Sequence, residues 1–545
     1  MQNAAIGFAA EGFRTDRPKL MGRQAAGEGF LRGYVRHAGV PVVAGYLLAP
    51  QDGTAFTEQV AAIDPARRAV TIPLGAIDQL AQYGTLALPD PSLADAARLR
   101  RFTDTRRYSI TGVTHTTASH GAMGMITDLL ASGAEPWDAL ICTSAAVKGT
   151  VERLLSAEAA FLAERMGATR FPLPALPVIP LGVDTDALVP PLGARAEWRR
   201  RLGVGERDVV VLTLGRLSWH AKQHPVALLA ALGRAARQPD MPRLHCVMAG
   251  WFADDSQERV HRAYAEALAP GVQLTTLDAR DPAVRREIWA AADIFTLLAD
   301  NIQETFGLAP VEAMAAGLPV VVSDWNGFRD TVRHGEDGLR VPTVMTAPGS
   351  AMDLAFRHAA ATDNYDHYLA ATTQIAAVDI AAAAEAFAAL AREPSMRLRM
   401  GRQGQARART TYDWRVVIGQ YQALWAELAA MRAKAPARPA RPDPRRADPS
   451  TAFAHYASAT LGPDSVLAAD PQGLPLAQMA GLPSALRPQA GTPSAAGLEA
   501  MLGLLAQRGE ASLQDLASAM PEAERRRALR GGLWLVKNGL AKRVR

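Results

Sequence analysis

Residues 293–324 read DIFTLLADNIQETFGLAPVEAMAAGLPVVVSD. The apolar run ending near Leu298 predicts a strand, the polar stretch after it predicts a loop holding Glu304 and Gly307, and Pro310 suits the first turn of a new helix. Gly317 and Pro319 stop that helix early, and PVVVSD (319–324) begins the next strand. The loop and the helix start present backbone N–H groups and the positive end of a dipole, which favour a phosphate or a sugar hydroxyl. Glu304 stands before the helix and Glu312 in its first turn, so both flank one N-terminus. A carboxylate accepts from two vicinal hydroxyls at once, which suits one Glu for a sugar and the other for a ribose.

Upstream, the runs VVVLTLG (209–215), LHCVMAG (244–250), VQLTTL (272–277) and ADIFTLL (292–298) alternate with amphipathic or Ala-rich segments. Continuous apolar runs indicate strands buried on both faces, and their alternation with helices indicates a parallel, doubly wound α/β sheet. VVVLTLG ends in Gly215-Arg216, with Lys222 shortly beyond. Ligands of open α/β sheets bind at the carboxyl ends of strands, which is where Arg216, Lys222 and Glu304 fall. Two fixed cations there could neutralise a diphosphate leaving group without a metal. Taken singly, Arg216 and Lys222 also fit a solvated strand-end pair, and the two glutamates fit helix capping; their joint placement on one edge favours a site. In the N-terminal part VPVVAGYLL, YSITGVT and DALICTS read as strands, and LPVIPLG (176–182) as the crossing into a second domain. From about 382 to 432 the pattern is helical.

GRLSWHAK (215–222), ETFGLAPVE (304–312), AMAAGLPVVVSD (313–324) and NGFRDTVRHGEDGLRV (326–341) resemble the donor half of glycosyltransferase family 4, which has the GT-B fold. VIPLGVD (178–184) resembles the segment entering that family's second domain, and residues 397–428 resemble its closing helices. The resemblance implies two Rossmann-like domains facing a cleft, residues 1–185 for the acceptor and 186–432 for a nucleoside-diphosphate sugar donor. It implies transfer of the sugar to an acceptor hydroxyl with retention of configuration. Arg216 and Lys222 would hold the diphosphate. Glu304, with the backbone of Phe306, Gly307 and Leu308, would hold the sugar, and Glu312 would bind the donor ribose. Gly215 and Gly22 join the donor-binding set, Gly22 as the glycine turn after the first strand. His115, in YSITGVTHTTASHG, corresponds to the family's active-site histidine, with His120 as its competitor. The family's Arg and Lys usually stand one residue closer than Arg216 and Lys222 do, and His220 is the alternative cation. No metal or other cofactor is implied.

The whole chain has 545 residues and a formal charge of +5. Residues 433–545 hold fifteen Lys/Arg against nine Asp/Glu, leaving 44 against 45 for residues 1–432. The expected catalytic body is therefore nearly neutral, and the basic excess belongs to an appended tail. Arg14, Arg17, Lys19 and Arg23 make one loop basic, which reads as a solvated loop or as contact with an anionic acceptor or lipid head groups. Hydrophobic residues at 49% exclude global disorder. Cys142 and Cys246 stand in apolar runs, too few for a disulfide scaffold or a four-Cys zinc site, and suit a reducing, cytoplasmic setting. No stretch reaches the roughly 18–20 apolar residues needed to cross a bilayer, and the N-terminus lacks the basic start of a signal peptide.

Residues 433–490 read as a Pro/Ala-rich, largely disordered linker. Residues 491–545 read as three helices resembling a winged-helix module, with a capping box at Ser512 and Asp515. The basic tail is a candidate for contact with the cytoplasmic face of a membrane, a protein or a nucleic acid. Besides transfer, three readings stay open: a catalytically silent sugar-nucleotide-binding module, a regulator acting through the tail, and a GT-B phosphorylase or sugar-nucleotide epimerase.

Overall fold

The computed structural model describes residues 3–14, 22–437, 439–480 and 491–544. The chain divides into two compact units, Met1–Asp443 and Pro444–Arg545. In the first, β1 (Ala5–Phe8), β2 (Val42–Leu47), β3 (Arg68–Ile72), β4 (Thr85–Ala87), β5 (Ser109–Val113) and β6 (Ala139–Ile141) form a sheet in the order β3-β2-β1-β4-β5-β6. Each pairing in it is parallel. A second parallel sheet repeats the pattern with β7 (Val209–Arg216), β8 (Leu244–Trp251), β9 (Gln273–Asp278), β10 (Ile294–Leu297), β11 (Val320–Ser323) and β12 (Gly338–Val341), ordered β12-β11-β10-β7-β8-β9. Both are doubly wound, and strand order reverses between β1 and β4 and between β7 and β10. Helices leaving such a pair go to opposite faces, so a crevice opens at its carboxyl edge.

The second sheet forms where the apolar runs predicted it, because the central strands β7, β8, β10 and β11 each feed two cores. Val210, Leu212, Phe295 and Leu297 are buried in one hydrophobic cluster, whereas Val209, Val211, Ile294 and Leu298 are buried in the one on the other face. β13 (Thr343–Met345) and β14 (Ala376–Val378) then pair antiparallel, with helices Met352–Ala359 and Tyr365–Thr373 between them.

The helix Trp414–Lys434, assigned by pattern to the donor half, buries Trp414, Val417, Ile418, Tyr421, Trp425 and Leu428 in the same cluster as Phe8, Tyr34 and Val43 of the N-terminal domain. Its apolar stripe, at helical spacing, needs a partner face, and that face lies on the first domain. Trp414 is the pivot: a Cβ on Gly33 or Gly182 would lie 2.8 and 2.4 Å from its ring. The crossing segment pairs with the start of this helix, Val183 N–H donating to Tyr412 O at 2.8 Å and Trp414 N–H to Val183 O at 3.1 Å.

In the second unit, β15 (Val466–Ala469) is the centre of an antiparallel sheet with β16 (Glu510–Ser512) and β17 (Ala541–Arg543). Leu467 joins Leu498, Leu505, Leu513, Leu516 and Leu535 of the three expected helices in one core. A strand thus replaces part of the expected disordered linker, and short helical turns at Pro444–Arg446 and Pro449–Ala452 interrupt more of it. Residues 481–490 of that linker, and Arg17 and Lys19 of the basic loop, lie outside the described residues. Ser512 caps the helix as expected, Asp515 N–H donating to Ser512 Oγ at 3.1 Å, and the Asp515 carboxylate accepts from that hydroxyl at 2.8 Å rather than from the Ser512 backbone.

Trp414→Ala should remove the pivot and lower the unfolding free energy of the first unit by about 3–5 kcal/mol, read as a fall in the denaturation midpoint. An unchanged midpoint would contradict its structural role.

Candidate active site

At the carboxyl edge between β7 and β10, the reversal of strand order brings together residues far apart in sequence. β7 ends at Arg216, and the chain turns through Ser218, Trp219 and His220 before Lys222 comes back over the edge. Lys222 Nζ lies 3.1 Å from Glu304 Oε2. His220, the alternative cation, points elsewhere: its Nε2 is 3.8 Å from Asp366 Oδ1, and Ser218 Oγ is 3.3 Å from its Nδ1. The extra residue in this turn therefore leaves the lysine beside the glutamate.

Glu304 is 9% exposed. Burial alone would raise its carboxyl pKa, but Lys222 and the backbone N–H groups of Thr305 and Phe306 outweigh burial and hold it below the ordinary value. Glu304 is thus a buried carboxylate kept charged by a cation on one side and by amides on the other. Those amides come from the turn into the helix Leu308–Ala315. Gly307 makes the turn at φ +97°, and a Cβ there would lie 2.4 Å from Phe328 Cε1. Phe306 anchors the turn from below, buried and edge-on to Tyr412 with ring centroids 5.9 Å apart. Asn326, itself at φ +49°, donates to Glu304 O.

Arg216 extends along the same edge and donates to Gln303 Oε1 at 3.3 Å. Burial pulls its pKa down, opposed by Asp366 and Tyr365. Gly215, at φ +141°, turns the strand end, and a Cβ there would meet no atom within 4 Å. Glu312 sits partly buried on the helix, where burial raises its pKa against the pull of Arg285.

The N-terminal domain meets this edge directly. Thr305 Oγ1 donates to His115 O at 3.1 Å, and Ser144 Oγ donates to Thr305 O at 2.8 Å. Ala145 N–H donates to Asp330 Oδ2 at 2.5 Å, and Thr116 Oγ1 lies 3.4 Å from Tyr365 OH. His115, just past β5, therefore stands one residue away from Glu304 across the cleft. Burial pushes its imidazole pKa down to about 4, against Asp90 and the carbonyl of Pro89, so the ring is neutral near pH 7. His120 begins the next helix and is exposed.

Gly22 opens the helix Gly22–His37, the first α-helix after β1, and a Cβ there would meet nothing within 4 Å. The turn after β1 is Ala9–Phe13, and the close approach there belongs to Gly27, whose Cβ would lie 2.4 Å from Gly12 O. Neither cysteine contributes to the site: both are buried, with thiols pushed up to about 12 by burial.

Several supporting residues carried no signal in the sequence. Asn301 donates to Lys222 O and accepts from Gln303 N–H at 3.0 Å, tying the lysine turn to the glutamate loop. Gln223, buried beside Lys222, accepts from Leu298 N–H at 2.8 Å and donates to Thr213 Oγ1 at 3.1 Å. Asp300 is buried with His224 N–H at 3.3 Å, and burial raises its pKa to about 7. A strand-end loop rich in Asp and Asn hints at turn bonding, but which partners it takes depends on the fold.

Two parallel, doubly wound sheets, the second with a lysine–glutamate pair and a helix N-terminus at its carboxyl edge, are the architecture of the GT-B fold. The fold matches a solved glycosyltransferase from Rickettsia africae at TM-score 0.51 and 11% identity, over 78% of this chain and 98% of that one. Residues 194–356, which hold most of the second sheet, match the model of the family described as Glycosyl transferases group 1. Among curated relatives, the D-inositol 3-phosphate glycosyltransferase of Geodermatophilus obscurus is 37% identical over 169 residues, 30% of this chain and 36% of that protein. A GDP-mannose-dependent alpha-(1-6)-phosphatidylinositol monomannoside mannosyltransferase of Mycobacterium tuberculosis is 34% identical over 175 residues, 31% of this chain and 43% of that one. The chain matches less than half the length of either relative.

Asp300 gives a test of the local electrostatics. Its folded pKa is raised, so its contribution to stability is full below the unfolded value and is lost as pH climbs through the folded one. Asp300→Asn should therefore gain thermal stability over wild type between about pH 4 and about pH 7, with a constant advantage above. A difference in Tm that does not vary with pH would contradict the raised pKa.

Proposed function

We propose that this chain moves a sugar from a nucleoside-diphosphate sugar to an acceptor hydroxyl, with retention of the anomeric configuration. The observation that carries the reading is the Lys222–Glu304 pair, 3.1 Å apart, at the N-terminus of the helix Leu308–Ala315 and across the cleft from His115. Arg216 and Lys222 would take the charge that develops on the departing diphosphate, together with the amides of Gly307 and Leu308. Glu304 would accept from hydroxyls of the transferred sugar, and Glu312 from those of the donor ribose. His115, neutral, would donate or accept a hydrogen bond in the cleft without bringing a charge to the reacting carbon.

In this scheme the bond between the anomeric carbon and the diphosphate oxygen breaks as the acceptor oxygen bonds to the same carbon from the same face. The acceptor's proton passes to the departing phosphate oxygen. Positioning and fixed charge supply the catalysis, and the cations named above meet the diphosphate, so the scheme calls for no metal. The family match over 194–356 supports the donor assignments. The acceptor lies with the N-terminal domain, where the matched family segment does not reach. The phosphorylated inositol and phosphatidylinositol species in the relatives' names are the first acceptors to try.

A thermal-shift panel of nucleoside-diphosphate sugars, GDP-mannose included, should raise Tm for the true donor. At about 100 times its Kd, a donor adds about 2.7 kcal/mol. With that donor, Glu304→Gln and Arg216→Ala should each lower turnover by about 100-fold or more, with circular dichroism unchanged. Undiminished transfer in either variant would overturn the assignment.

A further inference from the structure

We propose that the outward face of the helix Ala528–Lys537 docks on an anionic membrane surface. Its inward face is Ala528, Gly531, Gly532 and Leu535, all buried in the core of the second unit. The two glycines let the helix sit close: a Cβ on Gly532 would lie 2.2 Å from Leu513 Cδ2, and one on Gly531 would lie 3.0 Å from Met501 Sδ. That core is complete without further apolar groups from the other side of the helix.

The outward side nevertheless carries Leu529, 43% exposed, and Leu533, 55% exposed, one helical turn apart. Arg530 and Lys537 share that side at helical spacing, and both are exposed. Arg525, Arg526 and Arg527 precede the helix, exposed, and exposed Lys542, Arg543 and Val544 follow on and after β17. Of the two acidic residues before the helix, Glu522 is exposed and Glu524 is turned away, accepting from Ser494 N–H and Oγ at 3.1 Å each. Two exposed leucines flanked along the chain by an excess of arginines and lysines suit an interfacial helix: the leucines enter the acyl boundary while the cations meet anionic head groups. A nucleic-acid duplex would satisfy the cations but offers the leucines at mid-helix no comparable apolar phase. No helix among the described residues is long and apolar enough to cross a membrane, so the attachment is peripheral. The proposal stands independently of the sugar-transfer reading.

Flotation of the full chain with vesicles tests it. Wild type should float with phosphatidylcholine vesicles containing phosphatidylserine and stay behind with pure phosphatidylcholine. Leu529→Gln/Leu533→Gln should weaken that binding by about tenfold or more, and Arg526→Glu/Arg527→Glu should weaken it comparably. Hydrogen exchange at residues 525–537 of wild type should slow on the anionic vesicles, a readout that does not depend on any variant folding. Failure of wild type to float, binding unchanged in the leucine variant, or no slowing of exchange would each overturn the proposal. Tight binding to a DNA duplex that the leucine variant retains, without vesicle binding, would assign the face to nucleic acid instead.

Discussion

Glu304 keeps its charge in a place where burial opposes it, and much of the surrounding structure follows from that requirement. Lys222 faces it at 3.1 Å, and the amides of Thr305 and Phe306 donate to it. Those partners have to be held in place, because a buried carboxylate that loses them is costly. Asn301 ties the lysine backbone to the loop, Gln223 ties it to β7 and β10, and Gly307 shapes the turn that aims the amides. The reversal of strand order between β7 and β10 makes the arrangement possible, because it opens a crevice at the strand ends for loops from both.

The N-terminal domain completes the site from the other side. Ser144, His115 and Thr116 reach across to Thr305 and Tyr365, so the loop bearing Glu304 is held from both walls of the cleft. The helix that begins at Trp414 fixes the relation of the walls: its first residues pair with Val183 in the crossing segment, while its length is buried on the N-terminal sheet. His115 meets Thr305 through its backbone carbonyl, while its ring, with a pKa lowered to about 4 by burial, is neutral near pH 7 beside Asp90 and the carbonyl of Pro89.

The second sheet was legible in the sequence because its central strands are buried on both faces and write themselves as continuous apolar runs, punctuated by Gly307, Pro310, Gly317 and Pro319. The joint position of Arg216, Lys222 and Glu304 followed from the strand-end rule alone. β1 was not legible, since AIGF is too short to separate from its apolar surroundings. Nor was β15: Val466–Ala469 is a strand only because Glu510–Ser512 and Ala541–Arg543, both remote in sequence, pair with it. Asp300, Asn301 and Gln223 look like ordinary loop residues until the fold supplies their partners. The return of residues 414–434 to the first domain was hidden for the same reason: an amphipathic stripe gives its own direction but not the identity of the face that covers it.

The most direct measurement of the central claim is a crystal structure of the chain with a nucleoside diphosphate and, separately, with its sugar donor. The diphosphate should lie at the N-terminus of Leu308–Ala315 with Arg216 and Lys222 on its oxygens, and the sugar should hydrogen-bond Glu304. A nucleotide bound away from the β7/β10 edge, or a sugar out of reach of Glu304, would contradict it.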